Sequence, residues 1–330
     1  MTNLLEVSGL STHYDTRRGL LRAVDDVSFS VRAGETVAVV GESGSGKSVT
    51  ALSILGLVPQ PPGEIVAGSI LFEGRDLRAL SDRQMEAIRG NRIGMIFQEP
   101  MTSLNPTLTV GTQLTEGMIQ HLGLTRKQAD TRAADLLRAV GISEAAGRLK
   151  QYPHQFSGGM RQRIMIAMAL ACDPALIIAD EPTTALDVTI QSQILSVLKR
   201  LSRETGTAVV IITHDLGVVA RMADRVNVMY AGRIVEKGVA REVFARPRHP
   251  YTRGLLASVP RLGGGVSQRL VPIEGSPPDT TRLPPGCAFR PRCPLAVERC
   301  ALEVPPLEPV GGDHPAACWV ANGHEAGAAR

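Results

Sequence analysis

No stretch of this 330-residue chain approaches eighteen continuous apolar residues. The longest run is Ile164–Cys172, so no segment is expected to span a bilayer. Met1–Leu10 lacks a basic start followed by an apolar core, which argues against a secretory signal peptide and for a cytosolic protein. Charge of one sign is scarce as well: 36 basic against 32 acidic residues leave a net +4. That excess is too small and too scattered for the clustered basic face that binds nucleic acid, so no nucleic-acid partner is expected. Internal repeats are absent. With 43% apolar and 21% charged residues, the composition also excludes a disordered chain. Cysteine is sparse and uneven. Cys172 stands alone in an apolar helical run, where it reads as a small buried hydrophobe. Cys287, Cys293, Cys300 and Cys318 crowd into the tail without the Cys-x2-Cys pair of a zinc ribbon.

Three β-branched apolar runs, Val37–Gly41, Leu176–Asp180 and Ala208–Thr213, have the character of buried parallel strands. Each ends in polar residues, at the carboxyl edge where open α/β sheets bind ligands. A long insertion with helical character separates the first two. Within it Thr125 and Gln128 form a capping box, Ala129, Ala133, Leu137 and Val140 share one face, and Gly141 ends the helix. A second helix follows Asp187, with Ile190, Ile194, Leu198 and Leu201 on its core side. Ser69–Gly74 and Val226–Gly238 read as antiparallel strands, the latter turned at Ala231-Gly232. Near residue 250 the texture changes to a Pro- and Gly-rich tail without helical periodicity, whose last residues, Gly323–Arg330, read as frayed.

Gly41-Glu42-Ser43-Gly44-Ser45-Gly46-Lys47-Ser48 fits the phosphate-loop pattern and has a strand before it and a helix after it. Its glycines allow backbone N–H groups to wrap a polyphosphate at a helix N-terminus. Lys47 is suited to the β- and γ-phosphates and the Ser48 hydroxyl to Mg²⁺. Downstream, Asp180 at a strand end can hold the Mg²⁺ shell, and Glu181 can act as general base toward an attacking water. Ser157-Gly158-Gly159 opens another helix, a second N-terminus suited to a phosphate. One nucleotide needs one phosphate loop, so two chains are expected to share each nucleotide.

With that Phe156-Ser157-Gly158-Gly159-Met160 segment the chain resembles the ATP-binding-cassette superfamily over roughly residues 4 to 250. Phe156 and Met160 depart from the family signature. The resemblance implies an α/β phosphate-loop NTPase with an antiparallel subdomain in residues 1–250, a helical subdomain at about 101–160, and an extension at 251–330. It also implies that Tyr14 stacks on adenine and that Gly41 through Val49 contact the nucleotide. Gln98 then reaches Mg²⁺ and senses the membrane subunit, and His214 contacts the γ-phosphate. Ala185-Leu186-Asp187 crosses a dimer interface.

Phe97-Gln98-Glu99-Pro100-Met101-Thr102-Ser103-Leu104-Asn105-Pro106 is similar to dipeptide and oligopeptide importers, and so is the tail. There the matching stretches are His249-Pro250-Tyr251-Thr252, Gly275-Ser276-Pro277-Pro278 and Arg292-Cys293-Pro294. Importers of nickel or glutathione share parts of this pattern, and soluble cassette ATPases of DNA repair or translation share the nucleotide site. The implied protein is an ATP-hydrolysing subunit at the cytoplasmic face of the membrane. Its implied partners are a second ATPase chain, two membrane-spanning permeases and an extracytoplasmic solute-binding protein. Four thiolates in a loop-rich tail can enclose an iron–sulfur cluster or zinc. The resemblance favours a [4Fe–4S] cluster on Cys287, Cys293, Cys300 and Cys318.

Overall fold

The computed structural model describes residues 3–99, 103–183, 187–258, 272–309 and 314–324. They form two compact units. One is built from Val31–Thr36 and Ala79–Ile212, the other from Leu5–Ser30, Val37–Arg78 and the chain from Thr213 onward.

In the first unit, strands β6 (Ile93–Ile96), β7 (Leu176–Asp180) and β8 (Ala208–Thr213) run parallel in that order. Every residue of β7 and β8 is buried, as expected of strands covered on both faces. Gly94 in β6 is there for packing: a Cβ at this position would lie 2.4 Å from the Ala169 carbonyl oxygen. That carbonyl belongs to the helix Gly158–Leu170. The expected capping box at Thr125 and Gln128 starts the helix Arg126–Ala139, which buries Ala129, Ala133 and Leu137. Gly141 follows at φ +82°. The helix Val188–Thr205 buries Ile194, Leu198 and Leu201, and Gly206 ends it in the left-handed region.

The second unit contains two sheets. Strands β1 (Asn3–Thr16), β2 (Gly19–Arg32), β4 (Gly63–Phe72) and β5 (Arg75–Asp76) form one, in the order β2-β1-β4-β5. Sequence pattern identified only the buried end of β4, because its first half alternates poorly and is largely solvent-facing. In the other sheet β3 (Thr36–Val40) pairs parallel with β9 (Arg225–Tyr230). An antiparallel hairpin links β9 to β10 (Arg233–Val239). Its two-residue turn is Ala231-Gly232, both at positive φ, the form that matches strand twist.

The tail joins this sheet, which its composition did not announce. β12 (Pro315–Ala316) pairs antiparallel with β10, and β11 (Glu308–Pro309) with β12. Glu236 of β10 is fully buried at the seam. Its carboxylate accepts from the N–H groups of Arg248 (2.7 Å) and His249 (2.9 Å), and His314 Nε2 lies 2.7 Å away. Burial depresses the His249 pKa to about 3, so this ring is neutral, and its Nδ1 accepts from the Tyr251 N–H. Because the buried Glu236 carboxylate satisfies three groups at once, Glu236→Ala is expected to cost about 2–4 kcal/mol. Urea denaturation of the full chain measures that loss.

Candidate functional site

In the second unit the phosphate loop leaves β3 at Gly41 and enters the helix Lys47–Ile54. Two glycines leave no room for a side chain. At Gly41 a Cβ would sit 2.1 Å from the Met229 carbonyl oxygen, and at Gly46, with φ +102°, 2.2 Å from that of Ala23. The loop is also held by hydrogen bonds. Gly232 in the β9–β10 turn donates its N–H to the Ser45 carbonyl at 3.0 Å, and the Glu42 N–H donates to the Tyr251 hydroxyl at 2.8 Å. Lys47, only 4% exposed, bridges the loop with Nζ at 2.8 Å from the Gly41 carbonyl and 2.9 Å from that of Glu42. Ser45 Oγ is buried with no hydrogen-bond partner. A loop of this shape, with a lysine across it and an orphaned hydroxyl within it, fits a polyphosphate. Ser43 and Gly44 are exposed, and Ser48 and Val49 half-buried.

Beneath the loop three aromatic rings pack together. Tyr230 lies 4.6 Å from Tyr251 and 5.3 Å from Phe289, and Tyr251 lies 5.4 Å from Phe289. Burial raises the pKa of both tyrosines, so each hydroxyl keeps its proton. Arg292 reaches the same place with a fork: its Nη1 and Nη2 donate to Glu42 Oε2 and Oε1 at 2.6 and 3.0 Å. Those hydrogen bonds raise its pKa further, so its charge is permanent. Sequence reasoning missed Tyr251 and Arg292 as neighbours of the loop. Both stood in the tail motifs, but nothing in their spacing tied them to residue 42. Tyr14 is half-buried near the end of β1, with its pKa raised by burial. His214 is exposed directly after β8.

The first unit carries a second constellation. Asp180, buried, ends β7. Glu181 follows at φ +45°, a backbone region that non-glycine residues seldom adopt and that clusters at functional sites. Its N–H donates to the Ile212 carbonyl at 2.8 Å, which holds the turn against β8. Gln98, exposed after β6, donates from Nε2 to Glu181 Oε2 at 3.1 Å. Two residues the sequence placed separately therefore meet. The Gln98 amide oxygen is a hard oxygen donor of the kind Mg²⁺ takes, and so, in the second unit, is the Ser48 hydroxyl.

Ser157 caps the helix Gly158–Leu170, its Oγ accepting from the Met160 N–H, and both Ser157 and Gly158 are exposed. At Gly159 a Cβ would come within 3.0 Å of Ile190 Cγ2. Asp187 caps the helix Val188–Thr205 by accepting from Thr189 and Ile190 N–H at 3.1 and 3.0 Å. Ala185 and Leu186, and Pro100, Met101 and Thr102, lie outside the described residues.

The expected metal cage is not assembled. Among the described residues no group of three or more His, Cys, Asp or Glu side chains is arranged to hold a metal ion. Burial pushes the Cys287 thiol up to about 12 and the Cys293 thiol to about 11, and raises Cys318. These three groups stand as neutral thiols, and no formed [4Fe–4S] or zinc site is found among the described residues. Each of these three nonetheless meets backbone N–H donors. Phe289 and Arg290 donate to Cys287, Leu295 to Cys293, and Ala321 and Val320 to Cys318. Cys172 is buried, as its apolar run suggested. Among the described residues no helix is long and apolar enough to cross a membrane.

Comparison with known proteins places these features. A family described as ABC transporter matches residues 24–184, and one described as oligopeptide/dipeptide transporter, C-terminal region, matches residues 235–300. The dipeptide transport ATP-binding protein DppD of Bacillus subtilis is 52% identical over 320 residues, 97% of this chain and 95% of its own length. A putative peptide import ATP-binding protein of Brucella melitensis is 54% identical over 325 residues, 96% of each chain. Among solved structures, a dimeric ATP-binding cassette in a post-hydrolysis state bound to ADP and Pi is similar at a TM-score of 0.65 and 30% identity. The match covers 72% of this chain and 99% of that one.

Capping alone gives Asp187 a structural role that can be isolated. Asp187→Ala is expected to lower stability by about 1 kcal/mol, and Asp187→Asn, which keeps the cap, by much less. Thermal melts of both variants test it.

Proposed function

The chain belongs to the ATP-binding-cassette transporter family, in the branch with the oligopeptide/dipeptide transporter C-terminal region, and on that premise we propose that it energises peptide import. One observation carries the reading: relatedness to peptide-import ATPases covers 96–97% of the chain and the family match at residues 235–300 lies in its C-terminal part. A soluble cassette ATPase of DNA repair or translation has no reason to keep that tail. The nickel and glutathione readings find no support in the names of these relatives.

In this proposal ATP is the substrate. Lys47 and the N–H groups of the loop bind its phosphates, with the backbone of Glu42 and with Ser43 and Val49 in the same shell, and Tyr14 stacks on the base. Ser48 and Gln98 hold Mg²⁺, with Asp180 in its outer shell; when bound, the ion neutralises phosphate charge. Glu181 takes the proton of the attacking water, and Gln98 orients it through the hydrogen bond already present. His214 contacts the γ-phosphate. Ser157, Gly158, Gly159 and Asp187 act on the nucleotide of a second ATPase chain. Permeases in the membrane and an extracytoplasmic solute-binding protein complete the transporter, and this chain sits peripherally on its cytoplasmic side.

Glu181→Gln is expected to keep ATP binding, lower turnover by about 10²-fold or more, and trap the closed dimer. In the native cell the same variant is expected to abolish uptake of a labelled dipeptide or of a labelled longer peptide. Near-normal turnover removes Glu181 as the base. Unchanged uptake of both peptides rejects peptide import and leaves the ATPase assignment standing.

Cys287, Cys293, Cys300 and Cys318 are the residues that would hold a [4Fe–4S] cluster, or zinc in its place. Metal binding itself drives off the thiol protons, and N–H donors on the sulfurs favour the thiolate form. Anaerobically purified protein is expected to contain about four iron and four sulfide per chain. A colourless, iron-free preparation ends this part of the reading.

A further inference from the structure

Glu42 is the single acidic residue of the 41–48 loop. A carboxylate in a loop that cradles a polyphosphate opposes the ligand's charge unless something cancels it. Here residue 42 is held at three points. Its N–H donates to the Tyr251 hydroxyl, its carbonyl accepts from Lys47 Nζ, and its carboxylate receives the Arg292 fork. The arginine side chain is 4% exposed and that of Glu42 27%. A buried bidentate pair of this kind is strong and fixed in direction.

Arg292 is itself anchored from several sides. Its Nε donates to the Glu274 carbonyl at 3.0 Å, and its guanidinium carbon lies 5.9 Å from the ring centres of both Tyr230 and Phe289. A fork held this firmly imposes its position on Glu42 rather than following it. Two of the three restraints on residue 42 come from beyond residue 250, from the tail and not from the cassette core. A simple staple between tail and body needs no partner inside the phosphate loop. This one ends on the loop's single carboxylate.

We propose that Arg292 is a positioning residue of the nucleotide site. By pairing Glu42 it cancels the loop's carboxylate, so the C-terminal extension takes part in nucleotide binding. The inference rests on the reading of residues 41–48 as an ATP-binding loop.

Calorimetric titration of the full chain with the magnesium complex of a slowly hydrolysed ATP analogue tests it, with a thermal melt of every variant. Arg292→Ala is expected to weaken binding about tenfold, by exposing the phosphates to an unpaired carboxylate. Adding Glu42→Gln to Arg292→Ala is expected to restore affinity to within about threefold of the parent, because the offending charge is gone. A tail staple predicts the reverse, a lower melting point and no rescue. Binding by Arg292→Ala within twofold of the parent, or a double variant as weak as Arg292→Ala, overturns the proposal.

Should Arg292→Ala not fold, Glu42→Gln alone decides. It is expected to bind at least as tightly as the parent, and a tenfold loss overturns the proposal. Lys47→Ala separates the two levels. If the parent binds no nucleotide, the ATP reading fails. If the parent binds and Lys47→Ala does not, the outcome bears on Arg292 alone.

Discussion

A loop that wraps phosphate with backbone N–H groups needs backbone close by on its other side, and every other feature of the site follows from that constraint. At Gly41 and Gly46 the carbonyls of Met229 and Ala23 occupy the space where a Cβ would stand. The loop is therefore as much a product of β9 and of the β2 backbone as of its own sequence. The β9–β10 turn donates to the Ser45 carbonyl, and Lys47 bridges the loop internally. Rigidity of this kind lets a ligand be bound without a further ordering cost.

The tail extends the same logic outward. It contributes β12 to the sheet edge at β10, and its His314 reaches the fully buried Glu236, which also accepts from the Arg248 and His249 N–H groups. It also supplies Phe289 to the ring cluster under the loop and Arg292 to Glu42. Aromatic residues make up only 3% of the chain, and three of them are spent on this one layer. Ring packing gives stiffness and area together, and Tyr251 adds a hydroxyl positioned for a backbone N–H.

In the other unit strain falls on the residue proposed as the base. Glu181 takes a left-handed backbone that costs free energy, and the N–H bond to Ile212 together with the Gln98 amide holds it there. The cysteine tail shows an opposite balance: burial keeps its thiols protonated, while peptide N–H groups favour the ionised form. Which side prevails depends on whether a cation is present to replace the protons.

The sequence by itself determined the strands β3, β7 and β8, the capped helices, the phosphate loop and its partner carboxylates. These are local patterns: a run of β-branched residues, a cap at fixed spacing, glycines where only glycine fits. It also determined the family, because the motifs stand in a fixed order along the chain. Long, half-exposed strands such as β1, β2 and the first half of β4 escaped notice, since their alternation is weak. Only tertiary structure decided that Gln98 meets Glu181, that Tyr251 and Arg292 converge on Glu42, and that the tail is a sheet edge and not a loose appendage. The contacts at Glu181 and Glu42 join residues 83 to 250 positions apart. Pairing at that range depends on which faces the packed strands bring together, and a local pattern carries no record of it.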